Sequence, residues 1–291
     1  MAVTPTETAG RVARPETPAR STRRGPVSWL REHVVMIAAV LALIYLMLPN
    51  VVVVIFSFNK PVGRFNYEWN TFSLDAWTNP CASAGMCEAL GLSLRIGVLS
   101  TIVALVLGTL VAFGLSRYRF RGRGPTNLLI FFPMATPEVV MGSSLLALFV
   151  NATILPLGFW TILIAHIMFL LSFVVVTVKA RLASLDPRLE QAAMDLYADE
   201  RTTFWKITFP LALPGIAAAA LLAFALSFDD FIITNFNSGS VQTWPMYVWG
   251  ASRRGIPAQV NVFATAIFVI TTLAMFVNLR VQGRRARSRS T

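Results

Sequence analysis

Three carboxylates sit where side-chain chemistry is least expected. Glu138 lies in FFPMATPEVVMGSS, and Asp229 and Asp230 are adjacent in FALSFDDFIITNF. A charge inside such an apolar stretch costs about 2.5–3.5 kcal/mol on insertion scales, so it belongs toward a bundle interior or a water-filled cavity and marks a functional site by default. Neighbours on a helix point about 100° apart. One of the two aspartates is therefore expected to face a lumen while the other pairs with a polar group or caps a helix break. The alternative is a helix end with both aspartates solvated near a membrane surface. His166, alone in its apolar run, reads most simply as a hydrogen-bond partner of a neighbouring helix. No arrangement places a nucleophile beside a base. The histidines are His33 and His166, and the lysines are Lys60, Lys179 and Lys206, none of them after a glycine. A phosphate-cradling GxxxxGK[ST] loop is therefore absent, and an ATP-driven process would need its ATPase on another chain. Cys81 and Cys87 in PCASAGMC either close a small loop as a disulfide or remain two thiols. Two sulfurs with no nearby histidine do not complete a zinc site.

The elements that must position these groups are membrane helices. Hydrophobic residues make up 55% of the chain and charged residues 13%, against about a quarter charged in a soluble domain. Six apolar stretches reach spanning length, at roughly 34–58, 91–115, 126–150, 158–178, 210–234 and 260–279. The expected fold is all-α, a polytopic membrane protein of six transmembrane helices. Residues 1–33 read as a disordered basic tail and 281–291 as a second basic tail, with the transmembrane domain over 34–280. The first apolar stretch is too long for a signal peptide and lacks a small-residue cleavage site.

A net charge of +11 would suit nucleic acid, but its placement argues for orientation instead. With the N-terminus inside, all of the 25 basic residues fall in cytoplasmic segments except Lys60, Arg64, Arg253 and Arg254 outside and Arg95 within the second span. This is the positive-inside rule, and it puts both termini in the cytoplasm and both cysteines outside, where disulfides persist. Nucleic acid is not an expected partner; the lipid bilayer is.

Within the second span, Ser100, Ala104, Gly108, Ala112 and Ser116 recur every fourth residue, a stripe that lets helix backbones approach closely in lipid. Pro133 and Pro137 are expected to distort the third span, and Pro49 lies within the first. Phe65, Tyr67, Trp69, Phe72 and Trp77 in the outer segment read as interfacial anchors.

One polar stretch, DPRLEQAAMDLYADERTTFWKITFPLALPGI from Asp186 to Ile216, is too charged for lipid and too patterned for a spacer. Asp186 can cap a helix that begins at Pro187 and carries Leu189, Ala193 and Leu196 on one side. A break near Tyr197–Asp199 leads to a second short amphipathic piece with Phe204, Ile207 and Thr208. Pro210 and Pro214 open the next span. Two short helices projecting into water form a docking device.

This loop, at about 180–209, resembles the "EAA" loop of bacterial ABC-importer permeases. Gln191, Ala192 and Ala193 hold the Glu-Ala-Ala position with Glu190 just before, and Ile207, Pro210, Leu211 and Pro214 match the closing element. LSRYRFRGRG, PEVVMGSSLL, AHIMFLLSFVVVTVKARL, ALSFDDFIITNF and PMYVWGASRRGIPAQVN are similar to segments of spermidine/putrescine permeases. The resemblance implies a type I ABC-importer permease fold in a bacterial inner membrane, and a transport subunit rather than an enzyme. The implied partners are a homologous second permease subunit, two ATP-binding subunits and an extracytoplasmic substrate-binding protein. No cofactor is expected on this chain, and ATP and Mg belong to the ATPase. Coupling is assigned to Glu190, Gln191, Ala192, Ala193, Asp195, Leu196, Tyr197, Ala198 and Phe204. The substrate path is assigned to Glu138, Asp229 and Asp230. Tyr197 departs from the pattern, which has glycine there. Either the break shifts toward Asp199, or the ATPase presents a pocket for the tyrosine. A permease for a sugar, amino acid or anion is the alternative, and an ATP-independent secondary transporter is a more distant one.

Overall fold

The structure is a computed structural model that describes residues 26–152 and 155–287. Residues 1–25 and 288–291, read above as parts of basic tails, lie outside the described residues. The chain divides into two units, Met1–Val52 and Val53–Thr291.

Helix α1 (Pro26–Phe56) supplies the described residues of the first unit and continues past its boundary. Its start corrects the tail reading: the helix begins at Pro26, ahead of the apolar run, because a proline at a helix's first position lacks only an N–H that would have no partner there. Pro49 inside α1 removes the donor for Tyr45 O, and Asn50 Nδ2 donates to Leu46 O at 3.3 Å just beside that break. Val35, Leu41, Tyr45 and Leu46 are largely exposed, the surface expected of a helix solvated by lipid.

The second unit begins with the segment that follows the first apolar helix. Strands β1 (Asn59–Lys60) and β2 (Thr71–Phe72) pair antiparallel, and the short helix α2 (Asp75–Thr78) follows. Buried Asn59 organises the turn between the strands. Its Nδ2 donates to Asn66 Oδ1 and to Glu68 O, and its Oδ1 accepts from the Asn70 amide. Cys81 and Cys87 form a disulfide, with Cα atoms 5.5 Å apart.

The bundle is built on helices α3 (Met86–Arg117), α6 (Phe159–Ala183) and α9 (Phe209–Asp229). Ser100, Ala104, Gly108 and Ala112 of α3 are buried, and they bring α3 against α6. At Gly108 an added Cβ would lie 2.6 Å from Val174 Cγ1, so a larger residue would force the two backbones apart. Leu170, Val174 and Val178 of α6 and Ala212, Ala219 and Ala223 of α9 complete this core. In lipid such contacts stabilise by dispersion and close fit rather than by release of water.

The third apolar stretch is not one helix. It divides into α4 (Arg123–Ala135) and α5 (Glu138–Ala152), bent by 104°. Pro137 is the cause: it disfavours helical geometry at the preceding residue, and Thr136 is extended at φ −80°, ψ 131°. The polar loop contains α7 (Arg188–Asp195) and α8 (Glu200–Thr203), the latter passing through a π turn (Phe204–Thr208) directly into α9. The second amphipathic piece is thus the head of a continuous helix, Glu200–Asp229, and not a separate element. Pro210 explains the π turn. It cannot donate to Lys206 O and its ring crowds that carbonyl, while the Phe209 amide reaches back to Phe204 O.

The fifth stretch ends at Asp229, earlier than the expected 234. The chain breaks at Asp230–Phe231 and resumes as α10 (Ile232–Asn237). Helix α11 (Trp244–Arg254) lies back on the bundle, where the Trp244 amide donates to Ser93 Oγ at 2.8 Å. Helix α12 (Ala258–Arg287) closes the described chain, but its apolar portion is Ala258–Leu273. Among the described residues four helices are long and apolar enough to cross a membrane, or five with the bent pair counted as one span.

Candidate functional site

The break at Asp230 and the bend at Pro137 bring the three intramembrane carboxylates to one place. Glu138 opens α5, where the helix's positive end favours a carboxylate. Asp229 closes α9, and Asp230 lies in the break after it. All three line a cavity of about 480 Å³ walled by Phe169, Leu222 and Leu226.

Their environments differ. Asp230 is buried, and its Oδ2 accepts from the Thr234 amide and the Thr234 hydroxyl, both at 2.8 Å, while Oδ1 accepts from the Ile233 amide at 3.4 Å. It therefore caps α10. His166 Nε2 stands 3.3 Å from the same Oδ2 and 2.9 Å from Thr234 Oγ1. On its other side His166 Nδ1 meets Ser227 Oγ at 2.7 Å, and Ser227 Oγ lies 3.0 Å from Ser100 Oγ. One proton ordering that satisfies these contacts has Ser100 donating to Ser227, Ser227 to His166 Nδ1, His166 Nε2 to Thr234, and Thr234 to Asp230. The histidine therefore joins α6 to α9 and to the cap of α10. Asp229 and Glu138 have no hydrogen bond or ion pair to another described residue, and both reach the cavity.

Nothing in sequence pairs His166 with Ser227 or Ser100, which come from three different helices.

In the polar loop, Asp186 accepts from the Arg188 amide at 2.9 Å and starts α7 one residue later than expected. The helix ends in two reversed hydrogen bonds, from the Ala198 amide to Ala193 O and from the Tyr197 amide to Met194 O, both close to 3 Å. This is the Schellman arrangement, and it needs a left-handed residue at its hinge. Tyr197 occupies that hinge with φ 64°. The break therefore stays where the pattern has glycine and does not move to Asp199. Asp199 instead caps α8, accepting from the Thr202 amide at 3.1 Å. The Thr202 hydroxyl, and then its amide, holds the Asp199 carboxyl below the usual carboxylate range.

The loop residues separate into an inner and an outer set. Glu190 Oε1 accepts from Thr208 Oγ1 at 2.6 Å and forms an ion pair with Arg117 at the end of α3. Phe204 packs edge-on against Phe113, with centroids 5.2 Å apart. Together these contacts line a groove of about 760 Å³. Ala193 is buried and Ala198 is half-buried. Gln191, Ala192, Asp195, Leu196 and Tyr197 point outward, and Leu196 and Tyr197 are 81% and 100% exposed. The charge of Glu190 is thus directed into the chain's own fold.

The family described as binding-protein-dependent transport system inner membrane component matches residues 104–287. Over 235 residues the chain is 37% identical to the spermidine/putrescine transport system permease protein PotC of Escherichia coli (strain K12), covering 80% of this chain and 88% of the relative. Over 263 residues it is 35% identical to the putrescine transport system permease protein PotI of the same strain, covering 87% and 93%. Among solved structures, it resembles a bacterial ABC transporter involved in the import of the acidic polysaccharide alginate. There the TM-score is 0.59 at 16% identity, over 87% of this chain and 97% of that one. An amino acid ABC transporter gives a TM-score of 0.53 at 15% identity, over 72% and 95%. At such identities the structural likeness speaks for the fold alone. By the family match over 104–287 and by these relatives, this chain belongs to the family of binding-protein-dependent transport system inner membrane components.

Proposed function

We propose that this chain is one of two permease subunits of an ATP-driven importer of polyamines, spermidine or putrescine. The observation that carries the reading is the cavity at the helix break, where Glu138 and Asp229 present carboxylates that no cation of the described chain neutralises. A polycation leaving water loses its hydration, and fixed negative charge offsets that loss; a neutral or anionic cargo gains nothing from it. The names of the relatives point to the same cargo.

In this reading six spans place both termini in the cytoplasm of a bacterial inner membrane, with the bent α4–α5 pair and α12 counted among them. A homologous permease subunit completes the path. An extracytoplasmic binding protein delivers cargo from the outer face. Two ATP-binding subunits, which hold the ATP and Mg, receive the cytoplasmic loop. The exposed set of Gln191, Ala192, Asp195, Leu196 and Tyr197 makes that contact. Glu190, Ala193, Ala198 and Phe204 hold the loop in shape from within. Asp229 and Glu138 meet the cargo, and Asp230 keeps the break that aims Asp229.

The test is ATP hydrolysis by the reconstituted complex with binding protein loaded with spermidine, putrescine or a sugar. Stimulation by the two amines is expected. Stimulation by the sugar alone would refute the cargo assignment.

A further inference from the structure

The cytoplasmic loop hangs from two helix ends, the last turn of α6 and the first turns of α9, and one side chain ties those ends together. Arg181 of α6 donates from Nε at 3.0 Å and from an Nη at 2.8 Å to the main-chain oxygen of Leu211 in α9. The local sequence makes room for it. Pro214 has no N–H for Pro210 O, and its ring loosens the turn before it. At Gly215 an added Cβ would fall 2.3 Å from Arg181 Cγ and 2.4 Å from Arg181 Cβ. A residue with a side chain would displace the arginine stem from the α9 backbone.

The location of this tie matters mechanically. Leu211 lies between Pro210 and Pro214, next to the π turn Phe204–Thr208. Prolines and π turns are where helices bend. The stretch joining the loop to the bundle is therefore the softest part of the helix Glu200–Asp229. Beyond Pro214 α9 runs uninterrupted to Asp229, about 22 Å away at 1.5 Å per residue.

We propose that Arg181 is a positioning residue that braces this soft stretch, so that displacement of the loop 184–208 moves α9 and Asp229 as one body instead of being absorbed at Pro210–Pro214. The proposal rests on the reading of the chain as an ATP-driven permease. Arginine suits the task because its planar fork directs two donors at one oxygen, while a lysine offers a single mobile point.

The experiment compares wild type, Arg181→Lys and Arg181→Ala in the complete complex in vesicles. Spermidine taken up per ATP hydrolysed is measured alongside the hydrolysis rate. The expected result for Arg181→Ala is a fall of about tenfold in uptake per ATP while hydrolysis continues, equivalent to about 1.4 kcal/mol of lost coupling. Arg181→Lys should fall between the two. A merely structural role would lower the yield of complex and both rates together, leaving the ratio at its wild-type value; that result overturns the proposal. If the alanine variant does not assemble, the lysine variant decides by the same ratio, a wild-type value overturning the brace and a reduced one supporting it. A wild-type complex that couples hydrolysis to a sugar in place of spermidine overturns the cargo assignment alone, and the ratio read with that sugar still decides the brace.

Discussion

Asp229 and Asp230 are adjacent, chemically identical and expected to fail in opposite ways. Asp230 has three hydrogen-bond donors of its own chain on its two oxygens and His166 within ion-pair distance. Replacing it with alanine removes a helix cap, worth about 1 kcal/mol. It also leaves the buried Thr234 hydroxyl without its acceptor, at about 1–3 kcal/mol more. The sum is about 3 kcal/mol, enough to shift the folded population roughly a hundredfold. Asp230→Asn keeps one acceptor oxygen toward Thr234 and should cost about 1 kcal/mol. Asp229 has no such partners and lines the cavity, so Asp229→Asn should leave stability within about 0.5 kcal/mol. Its effect falls on cargo. A unit charge about 4 Å from an ammonium at an effective dielectric of 20 is worth about 4 kcal/mol, a ceiling that solvent in an open cavity reduces. A rise of about tenfold in the KM for spermidine, ~1.4 kcal/mol, is the expected size. Two measurements on each variant separate the cases: the temperature at which the detergent-solubilised complex loses its monodisperse elution peak, and the concentration dependence of uptake. An Asp230→Ala complex as stable as wild type would refute the cap. An Asp229→Asn complex with unaltered KM would refute the placement of that carboxylate on the path.

Tyr197→Gly relieves a left-handed conformation that costs a residue with a Cβ about 1–2 kcal/mol and also removes a fully exposed phenol. If that phenol is seated in the ATPase, the lost aromatic contact, about 2 kcal/mol for an interface anchor, exceeds the gain. ATPase association measured by co-purification should then weaken, and more so for Tyr197→Ala, which keeps the strain; wild-type association of both variants would make the tyrosine a bystander. Glu190→Gln leaves an acceptor for Thr208 but removes the charge facing Arg117, and the pair is partly exposed, so thermal stability should fall by no more than about 1 kcal/mol with ATPase association retained. Gln191→Ala should show the reverse, weaker association at unchanged stability. The Asp199 cap titrates with a defined sign. Because Thr202 lowers the folded carboxyl below its unfolded value, the stabilisation is complete above the usual carboxylate pKa of about 3.9 and disappears as pH falls through the folded value. Hydrogen exchange at the Thr202 amide should therefore lose protection below about pH 4 in wild type but not in Asp199→Asn, which caps without titrating; equal acid sensitivity of the two would refute the cap.

What was legible in the sequence was whatever depends on one segment at a time. The small-residue stripe of the second span identified the face that meets α6, because spacing along one helix defines a face without knowledge of its partner. The lone histidine and the paired aspartates announced that they needed partners. They did not say which, since Ser100, Ser227 and Thr234 are ordinary residues until three helices and a break bring them together. Pro133 and Pro137 foretold distortion, but not a bend of 104°, whose size depends on where α4 and α5 each find packing. The loop shows the same limit. Its amphipathic spacing marked two helices, yet the second is the head of α9, because a π turn absorbs Pro210 without ending the helix. Glu190 and Gln191 stand side by side in the motif, and one residue of rotation turns Glu190 to Arg117 and Thr208 while Gln191 faces outward. The motif assigns both to coupling without separating them. The helix geometry does separate them, so a charge moved by one position along this loop changes from an outward-facing group into an internal strut.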